Sequence, residues 1–281
     1  LGNGIGPAGA LFALKDDVRL TIVEGNIGGN EWSGYERRAK ELTAKVGLGA
    51  VKFVLAMVGA EAEARAFYVN ADPRSSSLFE MGDRAEGFQR RGGSQNLIWK
   101  DAARTIEKHN VDVVTLDSLE IEQPDVLSLD IQGGELDALR GADRILEKAI
   151  CVVTEVEHFE MYKGQGLAGE IERLLADRGF FYVGNATEEQ WFPSQHIIGR
   201  GVSAVAEAIF IQDWRHVGGF HRLIALALAA NAFECHWATM EATDKALRLW
   251  PDRSQKLLGG LSTSARTLTK ARKWIEKELR G

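Results

Sequence analysis

The sequence predicts an α/β fold: a mainly parallel sheet with helices on both faces, followed by a C-terminal helical appendage. Three observations carry this. Short, β-branched apolar runs alternate with segments of helical spacing over residues 18 to 213. Several of those runs are apolar at consecutive positions, as strands covered on both faces must be. From Phe220 onward only helical patterns remain, separated by "WPDRS" and "GGLSTS". The division expected is a main domain over 1–213 and an appendage over 214–281.

The elements follow in order. "VRLTIVEGN" (18–26) is a β-branched run ending in an acid, and "EWSGYERRAKELTAKVG" (31–47) has helical spacing with a glycine stop. "AVKFVLAMVG" (50–59) reads as a second buried strand. "EARAFYVN" (63–70) alternates as an edge strand or hairpin arm does. Residues 72–93, rich in Ser, Arg and Gly, read as a long surface excursion. Strands are expected at "VDVVTLDSL" (111–119), "PDVLSLDIQ" (124–132), "ICVVTEVE" (150–157), "FFYVG" (180–184) and "EAIFIQD" (207–213), with helices over 135–148 and in "LAGEIERLLADRG".

Composition narrows the function. With 281 residues and 45% apolar content the chain can bury a large core, and the formal charge of −6 gives no general attraction to nucleic acid or to anionic membranes. The most apolar helical stretch, "LIALALAANAF" (223–233), is too short to span a bilayer. Cys151 and Cys235 show no metal-ligand spacing and fall in apolar or helical patterns, so core positions in a reducing cytoplasm are expected. The reading is a soluble cytoplasmic protein with neither nucleic acid nor membrane as partner.

Ligands of open α/β sheets bind beyond the carboxyl ends of the strands. The opening "LGNGIGPAG" places Gly2, Asn3, Gly4 and Gly6 ahead of an apolar helix, where glycines permit a tight turn and close backbone approach to a ligand. Glu24 ends the next strand and is followed by Gly25. An acid there can accept hydrogen bonds from both ribose hydroxyls. Loop, helix, strand and acid together point to a nucleoside cofactor, either a nicotinamide dinucleotide or S-adenosylmethionine. At 126–136, "VLSLDIQGGEL", a buried strand runs abruptly into an acid, an amide and two glycines, marking a strand-end turn that opens a helix.

In order and spacing, "VDVVTLDSL", "PDVLSLDIQGGELDALRGADRIL", "VVTEVEHFEMY" and "EIERLLADRGFFYVG" resemble the successive segments of the FkbM-type methyltransferase family. The likeness covers residues 18 to 184, including "AMVG" after the third strand of the family's fold. It implies a Rossmann-like class I fold, S-adenosylmethionine as methyl donor with S-adenosylhomocysteine as product, and methylation of a hydroxyl on a sugar or natural-product small molecule. It also implies cofactor contacts at Ala56 and Asp130 and acceptor contacts at Tyr162 and the serine cluster 75–77, Ser76 at its centre. Two positions depart from the family's pattern. Gln132 stands where the family usually has Glu, and can hydrogen bond but cannot act as a base. "EGN" replaces the usual Glu-Pro after the ribose acid. The first strand of the fold is also missing ahead of the glycine loop, so the chain is expected to continue upstream.

Methyl transfer to a hydroxyl needs near-attack positioning and removal of a proton. The candidates for proton removal are Asp130, at the central strand end, and His158, after "TEVE" at the adjacent one. Gln132 and Glu157 are expected to contact acceptor, with Glu155 and Glu157 on one side of their strand. Asp117 reads as a turn acid that caps. Arg90 and Arg91 could grip an anionic substrate but are expected to be solvent-exposed, and Trp191, Phe192 and His196, in the connection between the last two strands, could form a flap over the acceptor but are expected to pack. No spacing demands a metal, although a divalent cation near the acids is compatible with the sequence. The helical tail, carrying Trp237, Trp250 and Trp274, offers faces for docking on its own domain or for pairing two subunits as a homo-oligomer. Two further classes stay open: a binding or scaffold protein keeping the fold without the chemistry, and a nicotinamide-dependent oxidoreductase, for which no Tyr-x-x-x-Lys pair is present.

Overall fold

A computed structural model describes residues 19–25, 41, 44, 50–92 and 95–252. The glycine loop with Gly2, Asn3, Gly4 and Gly6 lies outside the described residues, as does the end of the helical tail with Trp274. Of the helix expected over 31–47, Glu41 and Ala44 are described, and both are helical.

The fold is mixed α/β. Strands β1 (Arg19–Glu24) and β2 (Ala50–Leu55) pair in parallel. Strand β3 (Met57–Gly59) runs parallel to β7 (Thr105–Thr115), which pairs antiparallel with β4 (Glu63–Asn70) on its other side. Strands β5 (Gln89–Gly92) and β6 (Gln95–Ile98) form a hairpin that leads into a one-turn helix α1 (Trp99–Ala102). The largest sheet has the order β10–β11–β9–β8, from β8 (Val126–Leu129), β9 (Cys151–Glu157), β10 (Phe180–Trp191) and β11 (Val202–Gln212). Only β8 and β9 are parallel there; β11 runs against both β9 and β10.

The described strands therefore do not form the mainly parallel sheet expected. The reason is connection length. Helix α2 (Glu135–Arg140) and helix α3 (Asp143–Lys148) fill the β8-to-β9 crossover and permit parallel pairing, whereas β10 and β11 are joined by a short loop with no helix and must return antiparallel. Strands β7 and β10 are also longer than their apolar runs suggested, because their polar halves are paired with β4 and β11. The single helix expected over 135–148 is two, interrupted at Gly141, which caps α2.

Strand β9 is buried on both faces, and its alternation separates two cores. Val152 and Val156 pack with Leu139, Ile145 and Leu146 of α2 and α3, with Ile171 and Leu175 of α4 (Ala168–Asp177), and with Phe210. Ile150, Cys151 and Val153 pack on the opposite side with Leu223 and Leu226 of α5 (Phe220–Ala232) and Ala238, Ala242 and Ala246 of α6 (His236–Leu249). Burying a Leu or Ile side chain contributes roughly 1.5–3 kcal/mol, so each face is held by several such contributions. Both cysteines are buried and free. Among the described residues no helix is long and apolar enough to cross a membrane.

Residues 72–93 are not a bare excursion. Two 3-10 turns, Pro73–Ser75 and Asp83–Ala85, fold the segment back, and Ala85 and Phe88 join Trp99, Met161, Tyr162 and Trp191 in a third buried cluster. The aromatic residues among those apparently polar positions supply the apolar surface. Trp99 meets both Tyr162 and Trp191 edge-on, with centroids 5.4 and 5.5 Å away.

Candidate functional site

The carboxyl end of β8 is the polar centre of the described chain. After Leu129 the backbone turns through Gln132 at φ 56° and Gly133 at φ 88° before Gly134 caps α2. A left-handed conformation at a glutamine costs on the order of 1–3 kcal/mol, and it persists only where neighbours over-determine it. Here they do. Ser77 Oγ donates to the Gln132 carbonyl at 2.6 Å, and the Tyr162 hydroxyl lies 3.0 Å from both Gln132 Oε1 and the Ser75 carbonyl. Gln132 Nε2 donates to Asp130 Oδ1 at 3.0 Å and to Glu155 Oε2 at 3.1 Å.

Glu135 closes the turn from within. Its side chain is buried at 1% exposure and accepts from Ile131 N at 2.6 Å. Burial pushes its carboxyl up to about 7, with the nearby Asp130 charge adding to the rise and backbone donors such as Ile131 opposing it. Glu155 and Glu157 share the β9 face of Val153, as alternation requires. Burial first, then neighbouring acids, raises both well above the ordinary carboxylate range. Glu207 of β11 stands opposite Glu155. Glu157 Oε2 and Gln165 Nε2 are buried without a hydrogen-bond partner of good geometry, although the Gln165 amide lies close enough to temper the Glu157 shift. Among the described residues no group of three or more His, Cys, Asp or Glu side chains is arranged to hold a metal.

The sequence-predicted residues fall into two groups. Glu24, Gly25 and Ala56 meet at the carboxyl ends of β1 and β2, where Ala56 N donates to the Glu24 carbonyl at 3.1 Å. A Cβ on Gly25 would stand 2.3 Å from Met57 Sδ, so a side chain there would require the Met57 thioether to move. Val23 and Ala56 pack on the same core as Leu127, Leu129 and Ile131, which links this edge to the second group. That group is Asp130, Gln132 and Tyr162, with Glu155 joined through Gln132. Asp130 is exposed and Tyr162 is buried at 1%.

Other expectations end differently. His158 is exposed, its backbone N–H donates to the Ala204 carbonyl, and no hydrogen bond joins it to Asp130. Ser76 accepts from Asn70 N at 3.0 Å and so secures the loop; of its neighbours, Ser77 bonds the strand-end turn directly and Ser75 offers its carbonyl to Tyr162. Gln132 turns its amide toward protein partners. Arg90, expected in solvent, is half-buried, paired with Glu189 and lying over the Trp191 ring. Asp117 caps, as expected: its two carboxylate oxygens accept from Arg144 N at 2.7 Å and Ile145 N at 3.0 Å in the first turn of α3. Trp191 packs in the third cluster.

Three contributors carried only a weak signal in the sequence. Glu135 was legible only as a first-turn acid. Gln165, whose Oε1 accepts from Met161 N and Tyr162 N, sits within "KGQG", between two glycines. Ser77 had no signal beyond membership of its cluster.

Comparison with known proteins gives one domain-level result. The family profile described as methyltransferase FkbM domain matches residues 21–182, more than half of the chain and inclusive of both strand-end groups. Among solved structures, methyltransferase FkbM from Methylobacillus flagellatus KT is similar at 12% identity with a TM-score of 0.39. The match covers 75% of this chain and spans 41% of that one. No curated protein matches.

Proposed function

The chain belongs to the FkbM methyltransferase family, and from that premise we propose that it is an S-adenosylmethionine-dependent methyltransferase acting on a hydroxyl of a sugar or natural-product small molecule. The observation that carries the reading is the turn from Asp130 to Glu135. It lies within the matched family segment and sets an exposed carboxylate at the carboxyl end of a buried strand, where α/β folds bind ligands.

The residues suit the cofactor chemically. Glu24 offers carboxylate oxygens for ribose hydroxyls, Gly25 and Ala56 leave the adjoining edge without bulky side chains, and Asp130 places negative charge for a cationic group. The glycine loop 2–6 is the expected fourth contact. When bound, S-adenosylmethionine supplies an electrophilic methyl group. The chain must bring the acceptor hydroxyl to near-attack distance, keep water from competing and take the hydroxyl proton. Asp130 is the first candidate for the proton, because it is ionisable, exposed and held at a fixed position by the Gln132 amide. His158, exposed at the end of β9, is the second. Glu157 and Tyr162 belong beneath the acceptor, the first as a buried acid and the second as a buried ring whose hydroxyl is held by the Ser75 carbonyl and Gln132. Burial and the surrounding acids push the Tyr162 phenol well above its ordinary value, so it keeps its proton. The proposed setting is a class I fold in the cytoplasm, with a glycan or small molecule as acceptor.

Calorimetric titration with S-adenosylhomocysteine, with NAD as control ligand, tests the cofactor. Binding of the former, lost in Glu24→Ala, supports the reading. Binding of NAD in its place would overturn it.

A further inference from the structure

Gln132 stands where the family pattern has an acid, yet none of its amide hydrogens faces outward. Both go to carboxylates, one to Asp130 and one to Glu155, and its oxygen faces the Tyr162 hydroxyl. This network fixes the orientation of the carboxamide. Reversed, the amide would set its oxygen against the Asp130 and Glu155 carboxyl oxygens and lose both donations they now accept. The backbone is fixed as well, since the left-handed φ of 56° is held by the Ser77 hydroxyl on the Gln132 carbonyl. A glutamate in the same place would bring a third anionic group against Asp130 and Glu155 and remove both donors.

We propose that Gln132 is a positioning residue of the reaction edge: set by Tyr162 and Ser77, its carboxamide fastens Asp130 to Glu155 so that the two carboxylates work as one proton-accepting pair. The catalytic meaning of this tether rests on the reading of Asp130 as the group that takes the acceptor proton. The departure from the family pattern is then functional in this chain: the amide joins two acids where a third acid would repel them. Carboxylates bridged this closely titrate together, so a proton arriving on one eases ionisation of the other. Glu155 also faces Glu157 on its own strand, Asp130 and Glu135 from the strand-end turn, Glu189 from β10 and Glu207 across β11. Donation from Gln132 is what favours its charged form against that surround.

The test follows the Glu155 carboxyl carbon by NMR across pH in the wild type, in Gln132→Met, which keeps length without donors, and in Tyr162→Phe, which frees the amide to turn. The tether is expected to raise the proton affinity of Glu155 about tenfold when lost in Gln132→Met and by less in Tyr162→Phe. In the wild type, the Gln132 side-chain N–H protons are expected to exchange with solvent slowly. A glutamine that merely filled space would lower the melting temperature and leave the Glu155 titration where it was. An unmoved titration in the folded variants, or fast exchange of the wild-type amide, would overturn the proposal. Should Gln132→Met fail to fold, Tyr162→Phe and the wild-type exchange rate decide. Binding of S-adenosylhomocysteine to the wild type is measured separately, so loss of the tether and loss of the methyltransferase reading are distinguishable.

Discussion

Tyr162 and Gly133 are in contact so close that a Cβ added at position 133 would stand 2.9 Å from Tyr162 Cδ2. Gly133 also holds φ at 88°, a region that disfavours side chains. The tyrosine thus lies against the backbone of the strand-end turn while its hydroxyl reaches around to Gln132. Gly133→Ala is expected to cost about 1–3 kcal/mol and to weaken S-adenosylhomocysteine binding, because both strain and displacement fall on the turn that aims Asp130. Denaturant unfolding and calorimetry check the two effects.

Glu135 makes stability depend on pH. Its folded value of about 7 lies above its ordinary value of 4.5, so between the two the native state holds a proton that the unfolded chain releases. Its contribution is present in full below the ordinary carboxylate value and is lost as pH rises through about 7. The fall amounts to at most about 3 kcal/mol, and Glu155 and Glu157, shifted in the same direction, add to it. Unfolding free energies at pH 5 and pH 8 are expected to differ in the wild type and to differ less in Glu135→Gln.

Asp117 is a remote cap. Its two carboxylate oxygens take two N–H groups of the first turn of α3 from 27 and 28 residues away. Asp117→Ala is expected to lower stability by about 1–2 kcal/mol while leaving cofactor affinity unchanged. A large loss of affinity with intact stability would instead place Asp117 in the site.

Lys245 ties α6 to the segment that follows β11. Its Nζ donates to the carbonyls of Trp214, Arg215 and Val217 at 2.9, 2.8 and 3.0 Å, gathering the chain that leaves β11. Lys245→Met keeps the stem and loses the donors. Three carbonyls then need water, and a loss of about 2 kcal/mol is expected in thermal or denaturant unfolding.

What the sequence made legible was local. Runs such as "ICVVTEVE" read as buried strands because consecutive apolar residues need cover on both faces, which α2 to α4 and α5 with α6 provide. Asp117 read as a capping acid because it sits in a tight turn after a strand. The site itself is built from long-range contacts. Ser77, Tyr162 and Glu155 reach Gln132 across 55, 30 and 23 positions, distances over which no periodicity speaks. Ser76 follows the 3-10 turn Pro73–Ser75 and takes the Asn70 N–H, a contact within the loop that composition does not announce. The antiparallel return of β11 was equally hidden, since strand direction depends on which edge the chain comes back to, whereas the alternation of β4 already suited the edge position it holds. His158 was read from its place after β9, and its exposure follows from backbone pairing with Ala204 at the sheet's end.

A crystal structure with S-adenosylhomocysteine bound tests most directly whether the two strand-end groups form one methyl-transfer site. The expected result is the ribose hydroxyls on the Glu24 carboxylate and the sulfur on the side of Asp130, with the Gln132 tether intact. Ligand bound away from both edges, or its nucleoside lying clear of Glu24, would contradict it.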